Sequence, residues 1–352
     1  ASIKDLDLKN LSQINSEITD TAVDVFIYDT SKDSDGGAWR KRTTDTSWYN
    51  ETLGTATRGT RKEFPSVAVL VLSANKLTIY DGDHPDLPMW MDVYQFVNGG
   101  GSGTTTNWHG GSGSFTSVAA LNGTIVCGAT SGCRNLHFIN DRMSLFYTPA
   151  SGNYTQLGGI SNRNVAYSSW SASDSYYAQL VSASTLDVAM AVLPDAATDI
   201  ATGIPRPTIA VGTASGACIV LDDGTVADLQ GFAPVMTIHI DDSHVIGSTI
   251  SGPTDFIYKT RVPKVDESFS TGIVANTKNY YMNSNAGTIP LLRDIDVACT
   301  EYDSKNDTTY RGGNAGFDVI KAGINYSSTH SNPDIAYITK DYNTGYMPGD
   351  IK

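Results

Sequence analysis

Chemistry in this chain would have to come from a few tight groupings of cysteine, histidine and aspartate. Two of its four cysteines, Cys127 and Cys133, flank a Gly-x-x-Ser-Gly turn in GTIVCGATSGCRNLHFI, Gly123 to Ile139. Thioredoxin-like redox chemistry wants C-x-x-C at a helix start, and structural zinc wants a second ligand pair at tight spacing. Neither accompanies this pair, and Cys218 and Cys299 stand alone. A Cys127–Cys133 bridge across a hairpin is one reading; two small apolar strand residues is the favoured one. His239, Asp241, Asp242 and His244 lie close together, but a strand and its turn send such side chains to different faces, which disfavours a shared metal. Asp33 and Asp35 suggest calcium, yet no complete oxygen loop surrounds them, and Asp-Gly words are ordinary turn chemistry. Metal and cofactor are therefore expected to be none. Trp108 and His109 sit at the centre of the Gly/Ser/Thr tract from Asn98 to Phe115, expected to be a mobile surface loop, and are candidate binding residues at its tip. Arg40 and Arg42, within the basic run Arg40-Lys41-Arg42, are the other two; a solvated edge strand is the competing explanation.

The elements that would position these groups belong to an acidic chain of 352 residues with net charge −13, 40% hydrophobic residues and 33 glycines. Such a charge repels phosphate, so nucleic acid is not an expected partner. No apolar run reaches the length of a membrane-spanning helix, so no membrane insertion is expected. The first 21 residues, with Ile3, Leu6, Leu11, Ile14 and Ile18, form an amphipathic docking arm that lies on the body or meets a partner.

Self-similarity organises the rest. Gly128-Ala-Thr-Ser-Gly132 recurs as Gly212–Gly216 and Gly312–Gly316, with a longer version at Gly247–Gly252, each between strand-like runs. These are hairpins, with glycine at the positive-φ positions of the turns. A second word, Val-Ala after a small or acidic residue, recurs at Ser66, Ser117, Asp187, Asp296 and Asp334, with Pro234 as its weakest copy. The intervals are too uneven for a solenoid and suit blades of about 40 to 50 residues with insertions. The fold expected is an all-β propeller of about six blades, with five or seven as alternatives. Residues 1–21 are the arm and 22–352 the propeller, with blades over 64–352. In this scheme the Asp334 copy opens a half-built last blade. Asp24–Thr30 and Ala38–Arg42, within 22–48, complete it as closing strands by pairing the N-terminal with the C-terminal end.

Asp33-Ser-Asp35-Gly-Gly37-Ala-Trp39 resembles the Asp-box turn of sialidases but is one residue short and occurs once. With no arginine triad and no G-x-S-x-G elbow, no catalytic residue is assigned and no enzyme is expected. Over Asp24 to Met91, with DGGAWRKRT and SWYNE as its most distinctive words, the chain resembles virion structural proteins of tailed phages infecting marine bacteria, cyanobacteria among them. DVAMAVLPDA, IAVGTASGACIVLDDGTV and AYITKDYNTGYMPGDIK continue the likeness. It implies a tail- or fibre-associated structural protein located in the virion and part of a longer polypeptide, where such proteins carry lectin-like modules. Other virion proteins, and a host-surface glycan or receptor, are then the partners, with homo-oligomerisation open. A carbohydrate-binding adhesin and a glycoside-cleaving propeller are the alternatives.

Overall fold

The computed structural model of the chain describes residues 14–94, 96–99, 103–106, 113–146, 154–156, 159–164, 170–172, 180–230, 234–249, 256–262, 278–281, 297–303, 308–313, 316–321 and 334–339. These residues form antiparallel β-sheets with almost no helix. The first sheet runs β1 (Ala22–Asp29), β2 (Val67–Ser73), β3 (Lys76–Asp81) and β4 (Met89–Tyr94). A separate hairpin follows, β5 (Phe96–Gly99) and β6 (Gly103–Thr106). The second sheet comprises β7 (Phe115–Leu121), β8 (Thr124–Ala129), β9 (Gly132–His137) and β10 (Arg142–Phe146), extended by β11 (Tyr154–Gln156) and β12 (Trp170–Ala172). The third holds β13 (Thr185–Ala191), β14 (Thr208–Thr213), β15 (Gly216–Val220) and β16 (Val226–Gln230). The fourth holds β17 (Val235–Ile240), β18 (His244–Thr249), β19 (Phe256–Arg261) and β20 (Lys278–Tyr281). The fifth holds β21 (Val297–Asp303), β22 (Thr308–Gly313), β23 (Gly316–Lys321) and β24 (Asp334–Thr339). Within every sheet the strands follow one another in chain order.

The first strands of successive sheets pack in series: β1 on β7, β7 on β13, β13 on β17 and β17 on β21. Central strands are therefore covered on both faces, which explains unbroken apolar runs such as VAVLVLS in β2. Ala68, Leu70 and Leu72 face the core shared with the second sheet, while Val69 and Val71 face the opposite way. Helix α1 (Asn15–Asp20) covers that outer face. Ile14, just ahead of it, packs with Val69, Val71, Tyr80 and Leu87, and Ile18 leans on the same cluster. The Glu17 carboxylate accepts from the Tyr80 and Thr78 hydroxyls. Where the arm is described, it lies on the body.

A single irregularity recurs five times. Each first strand carries a β-bulge after its opening residue, between Ala22 and Asp24, Phe115 and Ser117, Thr185 and Asp187, Val235 and Thr237, and Val297 and Cys299. A bulge re-aims the following side chain. The re-aimed residues bond to the next sheet: Asp24 Oδ2 accepts from Val118 N at 2.8 Å, Ser117 Oγ from Val188 N at 3.3 Å, and Asp187 Oδ2 from Ile238 N at 2.7 Å. Ser117 Oγ also donates to Asp187 Oδ1 at 2.6 Å. A belt of hydrogen bonds thus runs from sheet to sheet along the first strands.

Two expectations are corrected. The stretch 22–48 does not close the last sheet: β1 pairs with β2 in the first sheet, and Ala38–Arg42 is a 3-10 turn. The positive φ angles of Gly36 and Gly37 (65° and 77°) turn the chain there, and Trp39 goes inward instead of alternating along a strand. Asp334 opens no sixth blade, because β24 pairs with β23 as the fourth strand of the fifth sheet. The Val-Ala word falls in first strands but also in β2 and β24, and so is blind to strand position. The glycine hairpins stand where the sequence puts them, joining β8 to β9, β14 to β15 and β22 to β23. The tract expected as a loop from Asn98 to Phe115 contains part of the β5–β6 hairpin.

Candidate functional site

Residues 30–65, inserted between β1 and β2, build a cap over the first two sheets. Trp39, Trp48, Phe64, Trp90 and Phe138 are all but fully buried in one cluster, with ring centroids 4.9 to 5.8 Å apart. Asp33 anchors the cap. Its Oδ2 accepts from Tyr28 Oη and Trp39 Nε1, both at 2.7 Å, and its Oδ1 from Asn122 N at 2.7 Å. Burial raises the Asp33 pKa, and the donors from Tyr28, Trp39 and Asn122 oppose that rise. Asp35 accepts from Gly37 N and pairs with Arg42 at 2.8 Å. Both carboxylates are thus spent on protein donors, and the Asp-box-like word works as an anchor for the cap.

Deeper in the cap lies a charged centre that sequence reading missed. Glu51 sits between Arg58, with Nε 2.8 Å away, and Arg163, with Nη1 2.6 Å away. Arg58 also donates to the Trp90 and Lys62 carbonyls and stacks 4.2 Å over the Trp90 ring. Burial lowers its pKa to about 10, against the opposing pull of Glu51, so it stays protonated at neutral pH. Arg163 donates to the carbonyls of Asp92, Ile160 and Thr57. With every arm of the two guanidiniums engaged, this centre binds segments of the chain together.

A cleft of about 620 Å³, open to a ligand, lies where the turns of the second and third sheets meet. One wall is the β7–β8 turn with Asn122, whose amide donates to Ser34 Oγ and the Pro205 carbonyl. The other wall is the loop between β13 and β14, held by Arg206 on Asp199 at 2.5 Å and by Ala197 N on Asp222 Oδ2 at 2.7 Å. His137 lies between them, its ring nitrogens against Thr124 Oγ1 and Ser144 Oγ at 3.2 and 3.4 Å. Burial first, then the positive charge of Arg142 and Arg206, pulls its pKa down to about 4, so the imidazole is neutral at pH 7. Ser144 is 1% exposed and Thr124 6%, so neither hydroxyl next to the imidazole reaches a substrate freely. The cleft offers neutral donors and acceptors beside the guanidiniums of Arg142 and Arg206 and the carboxylates of Asp199, Asp222 and Asp223, a surface for polar recognition.

Of the binding residues proposed from sequence, Arg40 and Arg42 are described and serve internal contacts. Arg40 donates to the Gly37 and Phe64 carbonyls inside the cap. Arg42 reaches from Asp35 to the Thr202 carbonyl at 3.1 Å, tying the cap to the loop that walls the cleft. Trp108 and His109 lie outside the described residues. Asp241 Oδ1 accepts from Ser243 N, Ser243 Oγ and His244 N, the bonding of a tight turn. Among the described residues no three His, Cys, Asp or Glu side chains converge as a metal site would require. Cys127 is opposite Arg134 and Cys133 opposite Gly128, so the two thiols sit on opposite faces of the sheet in different cores, and both are free.

No protein-family profile and no curated protein matches the chain. Several solved structures are similar in shape at low identity. One is a chain of a nidogen/laminin complex (9% identity, 72% of this chain and 73% of that one, TM-score 0.36). Another is a functionally unknown protein from Desulfotomaculum acetoxidans (12% identity, 73% and 62%, TM-score 0.35). A third is a chain of an active polycomb repressive complex 2 (10% identity, 89% and 51%, TM-score 0.42). This chain thus spans about half of that polycomb chain, and at such likeness none of these structures assigns it to a family.

Proposed function

We propose that the chain is a β-propeller that serves, without catalysis, as a docking scaffold in the virion of a tailed phage, tail or fibre associated. The observation that carries the propeller reading is the belt: five identically bulged first strands, the first four stitched in one direction by Asp24, Ser117 and Asp187. A scaffold function is supported by the use of the charged groups. Asp33, Asp35, Glu51, Arg58 and Arg163 are all spent on internal partners. The words DGGAWRKRT and SWYNE, which carry the phage resemblance, build the cap, so the resemblance falls on architecture. Other virion proteins, or a host surface, are the partners.

Immunogold electron microscopy with antibody to this chain, applied to purified particles, tests the reading. Labelling confined to the tail or its fibres is expected. Unlabelled particles, with the antigen found only in the soluble lysate, would overturn it. The cleft beside His137 favours a second reading, a carbohydrate-binding module, because a neutral imidazole, two amides, two guanidiniums and three carboxylates suit hydroxyl-rich ligands. Binding on a glycan array that is lost in Asn140→Ala would favour it.

A further inference from the structure

The belt has a direction, and the first sheet occupies its receiving end with no sheet upstream of it among the described residues. In the second, third and fourth sheets the residue following the belt position is covered by the preceding sheet: Val118 is 3% exposed, Val188 5% and Ile238 4%. Val25 holds the same register position in β1 and is 38% exposed, with Val23 beside it at 47%. Helix α1 and Ile14 cover the outer strands β2 and β3 and leave this inner strip open. At the other end, β21 carries the fifth bulge, with Cys299 at the belt position. Among the described residues, packing like that of β17 on β21 does not join β21 to β1.

A second observation says what belongs on the strip. Opposite the belt residue, the second strand of the second and third sheets has glycine: Gly128 opposite Ser117 and Gly212 opposite Asp187. A Cβ at Gly128 would come within 2.7 Å of Thr185 Cγ2, and one at Gly212 within 2.8 Å of the Val235 carbonyl. These glycines let the opening residue of the next first strand approach closely. The fifth sheet repeats this register with Gly312 opposite Cys299, and no later sheet follows it among the described residues. The residue in the register of Thr185 and Val235 in the first sheet is Ala22.

We propose that the fifth sheet of the same chain covers the Val23–Val25 strip, β21 packing on β1, and that Cys299 completes the belt against the Val25 amide. Closure is then by face-to-face packing of sheets and not by strand pairing. The inference rests on the propeller reading and adds its seam.

The test uses the full chain with Asp24→Cys, so that Cys299 meets a thiol at the neighbouring belt position. Oxidised glutathione accepts the two electrons and two protons as the disulfide forms. Peptide mapping is expected to find an intramolecular 24–299 link in the monomer. Links between copies, or both thiols capped by glutathione without a link, would overturn the seam. In the unaltered chain, residue-resolved hydrogen exchange gives a readout free of any folding defect in the variant. The Val25 amide is expected to exchange within about tenfold of Val118, Val188 and Ile238, whereas exchange faster by about a hundredfold or more would show an open strip. Weak protection at Val118, Val188 and Ile238 themselves would instead count against the propeller reading.

Discussion

Asp187 is where one side chain sets a measurable pH dependence. Its carboxylate accepts from Ser117 Oγ, Val188 N and Ile238 N, and burial, helped slightly by the negative charge of Asp24, raises its pKa from 3.8 to about 6. A carboxylate whose folded-state pKa is raised contributes stability that is fully present below its unfolded value and lost as pH rises through the folded one. The ionised group therefore costs ~3 kcal/mol at neutral pH. Asp187→Asn keeps an acceptor for Ile238 N and removes the titration. Its stability relative to the unaltered chain should grow between pH 4 and 7, by up to about 3 kcal/mol, measured by urea unfolding at each pH. A difference that stays flat would mean the carboxyl titrates normally. The buried cysteines give a second expectation. Burial raises both thiols, Cys133 to about 12, and they lie in separate cores. Native protein should leave Cys127 and Cys133 unreactive toward a thiol reagent, and reductant should not shift the melting temperature. A lower melting temperature under reductant would reveal a bridge.

At the scale of elements, what the sequence made legible was what local chemistry dictates. Glycine at a turn needing positive φ is visible without any partner, so the hairpins of β8–β9 and β14–β15 could be found by eye, Gly132 and Gly216 having φ of 104° and 133°. The belt could not. The members whose bonds define it, Asp24, Ser117 and Asp187, are marked only by following a bulge that breaks the two-residue period. The Glu51 centre was equally hidden, because Arg163 lies 112 residues from Glu51. The cleft draws His137, Arg142 and Arg206 from two sheets, and no local word joins them. The arm shows the gain from seeing the contact. Amphipathic spacing left open whether it met the body or a partner, and an arm meeting only a partner would leave stability unchanged when removed. With Ile14 5% exposed against Val69 and Val71, deletion of residues 1–21 should instead lower stability by about 2 kcal/mol, the transfer value of one large apolar side chain. Thermal melts of the truncated and full chains decide this; coincident curves would mean that α1 adds nothing to the first sheet.

For the whole molecule, the decisive quantity is the number of sheets in the series, and it depends on which repeat is counted. Counting Val-Ala words yields six units, because Ser66-Val67-Ala68 lies in the second strand of the first sheet and Asp334-Ile335-Ala336 in the fourth strand of the fifth. Counting first-strand bulges yields five among the described residues, each at the same register and each followed by three or more antiparallel partners. The bulge is the sounder marker because each of these first strands carries it and, at Asp24, Ser117 and Asp187, it turns a polar side chain toward the next sheet, whereas the apolar pair occurs in first, second and fourth strands alike. Cores between neighbouring sheets support the same order, with Ala119 and Val188 meeting between the second and third, and Ala210 and Ile238 between the third and fourth. Viewed along the first strands, the molecule should therefore project as five lobes around a centre. Cryo-electron microscopy of the chain held by a rigid antibody fragment is expected to give class averages with five lobes of similar size. Six lobes would restore a separate blade for the strand beginning at Asp334 and would break the equivalence of the five bulges, while four would mean that β21 to β24 stand outside the series that the other first strands define.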